Sequence, residues 1–121
     1  MLVAYQVAIE VVKELRPIVE QVRKHDSTLA KQLVDAMSST VQNLAEGEAH
    51  RGGNKRAKYD IAHGEANEVK SCLDLALAWG YVIDDSGARA KLRRLLALMW
   101  GLTNSKRLVV QPARKPRTAT S

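Results

Sequence analysis

The sequence predicts an all-α protein, an antiparallel up-down-up-down four-helix bundle, and three observations carry that prediction. Apolar residues recur at helical spacing in four separate segments. The segments are joined by short connections rich in Gly, Asn, Asp and Ser, which suits antiparallel neighbours in a bundle. No stretch alternates apolar and polar residues for long enough to compete as a strand, since Tyr81 to Ile83 and Leu108 to Val110 are too short. Composition agrees. Of the 121 residues 45% are apolar, yet there is no Phe and aromatics are only 4%. The core must therefore be built from Leu, Val, Ile and Ala.

The first helix is expected from Leu2 to about Lys24, with Ala4, Ala8, Val11, Leu15, Ile18 and Val22 as its apolar stripe. Pro17 interrupts it. A proline inside a helix removes one hydrogen bond and crowds the preceding turn, so a kink is expected there, the stripe continuing beyond it. Asp26 or Ser27 can accept a hydrogen bond from the free amides that open the second helix, expected from Thr28 to Glu46. Its apolar seam is Leu29, Leu33, Met37, Val41 and Leu44, and Gly47 is the expected stop. Gly52, Gly53 and Asn54 mark the next connection. The third helix is expected from Arg56 to Trp79, stopped by Gly80. Asp84, Asp85 and Ser86 offer caps for a fourth, from about Gly87 to Leu102, with Leu92, Leu95, Met99 and Leu102 facing inward. This divides the chain into a bundle domain, residues 1–107, and a basic, proline-containing tail, residues 108–121, expected to be disordered.

Several function classes are disfavoured at once. No apolar run approaches the roughly 20 residues that span a bilayer, and the N-terminal MLVAYQVAIEVVKELR has neither the basic start nor the cleavage site of a secretion signal. A single cysteine, Cys72, rules out an internal disulfide and makes the cytoplasm the expected setting. The formal net charge of +6 permits an acidic partner such as nucleic acid without requiring one. Two cationic groups are the candidate contacts: Arg51, Lys55, Arg56 and Lys58 around the second connection, and Arg89, Lys91, Arg93 and Arg94 on the fourth helix. Each can equally be a solvated face.

One stretch is unusual for a bundle helix. Gln32, Ala36, Ser39, Asn43 and Glu46 follow at steps of four, three, four and three, a seam position normally held by Leu, Ile and Val. The third helix has its own oddity. Gly64 sits mid-helix, at a cost of about 1 kcal/mol relative to Ala, and Glu68 lies among apolar neighbours on a seam with Ile61, Cys72, Leu75 and Trp79. The expectation is that the two seams pack together, with Glu68 receiving hydrogen bonds from Gln32, Ser39 or Asn43. On that reading Gln32, Ser39, Asn43, Glu46 and Glu68 form a structural polar network that clamps the second and third helices.

Asn43-Leu44-Ala45-Glu46-Gly47 resembles the N-[IL]-A-E-G signature of the four-helix bundle proteins encoded in intervening sequences of bacterial 23S ribosomal RNA genes. Upstream, Leu29, Gln32, Ala36 and Ser39 fall on that family's L-x-x-Q-x-x-x-A-x-x-S pattern. Downstream, Ala62, Gly64, Glu68, Leu73 and Ala76 fit its A-x-G-S-x-x-E-x-x-x-x-L-x-x-A pattern, and Gly80-Tyr81 follows as it should. The resemblance covers about residues 4 to 105. Three departures are Glu65 in place of serine, Val41 in place of a proline, and Arg51 one position later than the usual arginine. The resemblance implies a left-handed bundle that assembles into a homo-oligomer, commonly a pentameric ring, with no established enzymatic activity. It also implies a distant kinship with accessory proteins of reverse transcriptases in diversity-generating retroelements, which bind polymerase and RNA or DNA.

Catalytic alternatives are weaker. His25, His50 and His63 are scattered, no HExxH or CxxC spacing is present, and neither a metal nor another cofactor is expected. Glu46, Glu65 and Glu68 read more simply as a structural network than as paired acid–base carboxylates. Cys72 reads as a small core residue, since no cation adjoins it. Trp79 is expected to plug one end of the bundle, and Trp100, on a face with Arg93 and Ala97, to contact another subunit. The functional expectation is a non-enzymatic, homo-oligomeric bundle that binds nucleic acid or a nucleic-acid enzyme, with a purely structural adaptor as the alternative.

Overall fold

The computed structural model describes residues 2–110, with side chains for residues 2–104. It contains four helices in the order α1 (Val3–Arg23), α2 (Ser27–Ala49), α3 (Gly52–Ala78) and α4 (Ser86–Val110). Packing runs between α1 and α2, α2 and α3, α3 and α4, and α4 and α1, with α2 against α3 the most extensive. Neighbours in sequence are thus neighbours in space, and the short connections force each helix to reverse the last. This is an up-down-up-down bundle.

The stripes predicted for α1, α2 and α4 are the ones that meet, whereas of the α3 seam predicted with Ile61, Glu68, Cys72, Leu75 and Trp79 only Cys72 is buried. Ala4, Ala8, Val11, Leu15, Ile18 and Val22 of α1 are all buried, as are Leu29, Leu33, Met37 and Leu44 of α2. From α4 come Leu92, Leu95 and Met99, while Val41 and Leu102 pack at the margin. The α3 contribution is Tyr59, Ala62, Ala66, Val69, Leu73 and Ala76, again at alternating steps of three and four. Its alanines leave room for α2 to come close. Two buried hydroxyls complete the interior without loss, because Thr40 and Thr103 each donate to a carbonyl one turn back, Ala36 at 2.8 Å and Met99 at 3.2 Å.

The helix ends refine the sequence reading. Of the two candidate caps before α2, Asp26 is the one used; its carboxylate accepts from the Leu29 amide at 2.9 Å. α1 runs through Pro17 as one helix, so the chain does not break there. Gly80 ends α3 as expected. Its φ of +79° lets the Tyr81 amide reach back to the Ala76 carbonyl at 2.9 Å, a closure disfavoured for residues with a Cβ. Gly47, by contrast, is no stop. It is buried inside α2, which continues to Ala49, and the reversal into α3 takes only His50 and Arg51 before Gly52 at φ +62°. The physical reason is packing: a Cβ on Gly47 would lie 2.5 Å from the Tyr59 ring. The glycine is there to admit a ring from the neighbouring helix. α4 extends through Val110, so residues 108–110 are helical, and residues 111–121 of the expected tail lie outside the described residues.

Candidate functional site

The two predicted cationic groups do not merge. Chain direction puts Arg51 to Lys58 at the end where α2 turns into α3, whereas Arg89 to Arg94 occupy the opening turns of α4, towards the opposite end. Nor are their charges equally available. Lys58 closes on Glu46 across the α2–α3 hairpin, Nζ to Oε1 at 2.7 Å, and that hydrogen bond holds the Glu46 carboxyl below its ordinary range. Lys55 lies over the Tyr59 ring, 5.9 Å from its centre, a cation–π contact. Arg51 is the extended residue before α3 and is exposed, and Arg56 is half-buried.

On α4, Arg89 is a structural joint. It donates to both carboxylate oxygens of Asp85 and, through Nη1, to Asp74 of α3 at 2.9 Å. Asp85 is only 6% exposed, so this arginine compensates a buried carboxylate while tying α3 to α4. Hydrogen bonding from Arg89 likewise lowers the Asp74 carboxyl, and the Asp85 carboxylate raises the guanidinium. Lys91 reaches across to α1, 3.4 Å from Glu14 and 3.6 Å from Glu10. Arg93 and Arg94 are exposed and, among the described residues, form no ion pair. Of these eight cations, Arg51, Arg56, Arg93 and Arg94 have neither a carboxylate nor a ring partner among the described residues.

The polar network expected between α2 and α3 is divided. Asn43 and Ser39 are half-buried and joined, the Asn43 amide donating to the Ser39 carbonyl at 2.9 Å and hydroxyl at 3.1 Å. Glu46 is spent on Lys58. Gln32 is exposed, and so are Gly64 and Glu68. Gly64 was expected at a close helix approach, but no atom outside its own helix backbone lies within 4 Å of where its Cβ would be. Helical rotation explains the correction. Gly64 and Glu68 each follow an inward alanine, Ala62 and Ala66, by two residues, about 200° around the helix. When the alanines face α2, this edge faces outward.

Trp79 also departs from expectation. It is 68% exposed rather than a plug, and forms the outer ring of a stack in which Trp79, Tyr81 and His25 lie nearly parallel, with centres 6.4 and 5.1 Å apart. The next residue, Val82, is buried. Trp100 is 56% exposed on α4. Cys72 is buried, and burial pushes its thiol pKa up, away from the thiolate that a nucleophile requires. Among the described residues, no three His, Cys, Asp or Glu side chains gather to hold a metal ion, and no helix is long and apolar enough to cross a membrane.

Sequence reasoning missed one concavity. It is a groove of about 630 Å³ between α1 and α2, floored by Val12, Leu33, Val34 and Met37 and rimmed by Lys13 and Arg16. Its one sequence signal was Pro17, an exposed ring in the middle of α1.

These features define a class: a small four-helix bundle in which some charged side chains are tied into ion pairs and others stand on the surface without one. Within that class, the chain belongs to the 23S rRNA-intervening sequence protein family, whose model matches residues 1–97. A crystal structure of a protein of unknown function from the S23 ribosomal protein family of Bacteroides thetaiotaomicron superposes with a TM-score of 0.73. It is 18% identical, and the match covers 83% of this chain and 97% of that one, a likeness of fold. No curated protein matches the chain.

Proposed function

We infer that this protein is a non-enzymatic, homo-oligomeric bundle of the cytoplasm that engages nucleic acid, or an enzyme acting on it such as a reverse transcriptase, through cationic side chains. One observation carries the reading: in a chain of net charge +6, Arg51, Arg56, Arg93 and Arg94 are left without carboxylate partners among the described residues. Arginines of this kind suit phosphate, whose oxygens match the planar guanidinium. Oligomerisation would bring several copies of each pair onto one surface and multiply a weak contact.

The competing reading, an adaptor that binds only protein, draws on the neutralisation of Lys58, Arg89 and Lys91 by Glu46, Asp85 and Glu14. Salt separates the two. With four phosphate contacts, affinity for single-stranded RNA should fall about 50-fold between roughly 50 and 200 mM salt. Fluorescence anisotropy on labelled RNA measures this, and replacing the four arginines by alanine should flatten the slope. Binding that is absent, or indifferent to salt, overturns the nucleic-acid reading and leaves the adaptor.

A further inference from the structure

Two surfaces of the bundle are apolar, unpaired and opposite in charge. The first is the α1/α2 groove. Val12, Pro17, Val34 and Met37 offer an apolar lining, and Val34 remains 39% exposed. On its rim Lys13 and Arg16 are exposed and, among the described residues, without an ion pair, whereas Arg23 is 3.6 Å from Glu20. The groove is thus cationic where its charges are free.

The second is the outward edge of α3. Ile61, Leu75 and Trp79 are 47%, 48% and 68% exposed, an amount of apolar surface along one helix edge that the folded chain leaves uncovered. Between them stand Glu65 and Glu68, which form no ion pair among the described residues. Gly64 lies on this same edge. A glycine in a helix interior weakens the helix, and within this chain nothing comes near enough to require one. A helix arriving from outside would require it.

We propose that the α3 edge of one copy docks in the α1/α2 groove of a second copy. Ile61 and Leu75 cover the groove's apolar lining, Gly64 admits the close approach of the partner's backbone, and Glu65 and Glu68 meet Lys13 and Arg16. The occupant is argued from charge: the edge carries two free carboxylates, and the groove carries two free cations. Because groove and edge are different surfaces, the contact is head-to-tail, and repeated around an axis it closes a ring. The proposal rests on the homo-oligomeric reading above and names the surfaces that build it.

Charge exchange tests it. The variants are Lys13→Glu with Arg16→Glu, and Glu65→Lys with Glu68→Lys. Lys13, Arg16 and Glu68 are exposed and Glu65 is half-buried, and circular dichroism checks that each variant retains its helices. In sedimentation velocity, wild type should assemble and each variant alone should sediment as monomer, since its groove and edge then share one sign. Combining all four exchanges in one chain should restore assembly, because its groove and edge are again of opposite charge. Gly64→Leu should likewise dissociate the wild-type assembly without loss of helix. If the variants alone keep the wild-type mass, or the chain carrying all four exchanges stays monomeric, the proposed surfaces are wrong while the homo-oligomer stands. A monomeric wild type overturns both.

Discussion

Gly47, in the last turn of α2, and Gly64, midway along α3, are both helical glycines within the motifs that carry the family resemblance, and they stand in opposite surroundings. At Gly47 the space for a Cβ is taken by Tyr59 ring carbons at 2.5 and 2.7 Å. At Gly64 that space is empty. The first glycine is explained inside the chain: it lets the hairpin of α2 and α3 close over a ring that is 5% exposed. The second costs helix stability and returns nothing to the isolated bundle. A residue type alone does not say whether it serves folding or recognition; the nearest neighbour does.

The comparison breaks most sharply at Gly47. Gly47→Ala should destabilise the protein by about 2 kcal/mol in chemical denaturation, an overpacking loss that exceeds the gain in helix propensity. In a Tyr59→Leu background the same substitution should cost much less, so a double-mutant cycle reports a coupling of about 1 kcal/mol. If Gly47→Ala is neutral and uncoupled from Tyr59, the closed hairpin is not what selects glycine there.

Gly64→Ala should do the reverse. With no atom to displace, it should stabilise the folded unit by up to about 1 kcal/mol, read at protein concentrations low enough to keep the chain monomeric. A loss of stability under those conditions would mean that Gly64 is packed within its own bundle, and the contrast with Gly47 would disappear.

The smallest effect is expected from acid. Glu46 at the closed hairpin has its carboxyl held below the ordinary value of 4.5, chiefly by the hydrogen bond from Lys58. A carboxyl whose folded pKa is depressed stabilises the fold above its unfolded pKa, and that contribution is lost as pH falls through the folded value. Thermal melting should therefore weaken below about pH 4.5, and Lys58→Met should remove part of that acid sensitivity. The Glu46 side chain is about half exposed, so the change is slight. An acid limb unaltered in Lys58→Met would show that the pair contributes nothing to folding.

Much of the fold was legible in the sequence because helix formation and its apolar stripe are local. Ala8, Val11, Leu15 and Val22 recur with the helical period, and whatever packs there must bury them. Asp26 and Gly80 likewise act on amides and carbonyls within a few residues, so their roles follow from position. The polar seam was harder. Its members do lie on one face, yet spacing could not say which of them a neighbour would cover, and Gln32 and Glu68 emerged exposed where burial was expected.

Four helices, the inward stripes of α1, α2 and α4, and the family were all legible in the order of the residues. The tertiary structure alone decided which cations remain free, since Lys58, Arg89 and Lys91 find their carboxylates on other helices or in the turn before their own. It alone exposed Trp79, opened the α1/α2 groove, and put Tyr59 on Gly47 rather than Glu68 on Asn43. The reason is rotational. A helix fixes the angles among its own side chains, but the direction it presents to its neighbours is chosen by the packing of all four together.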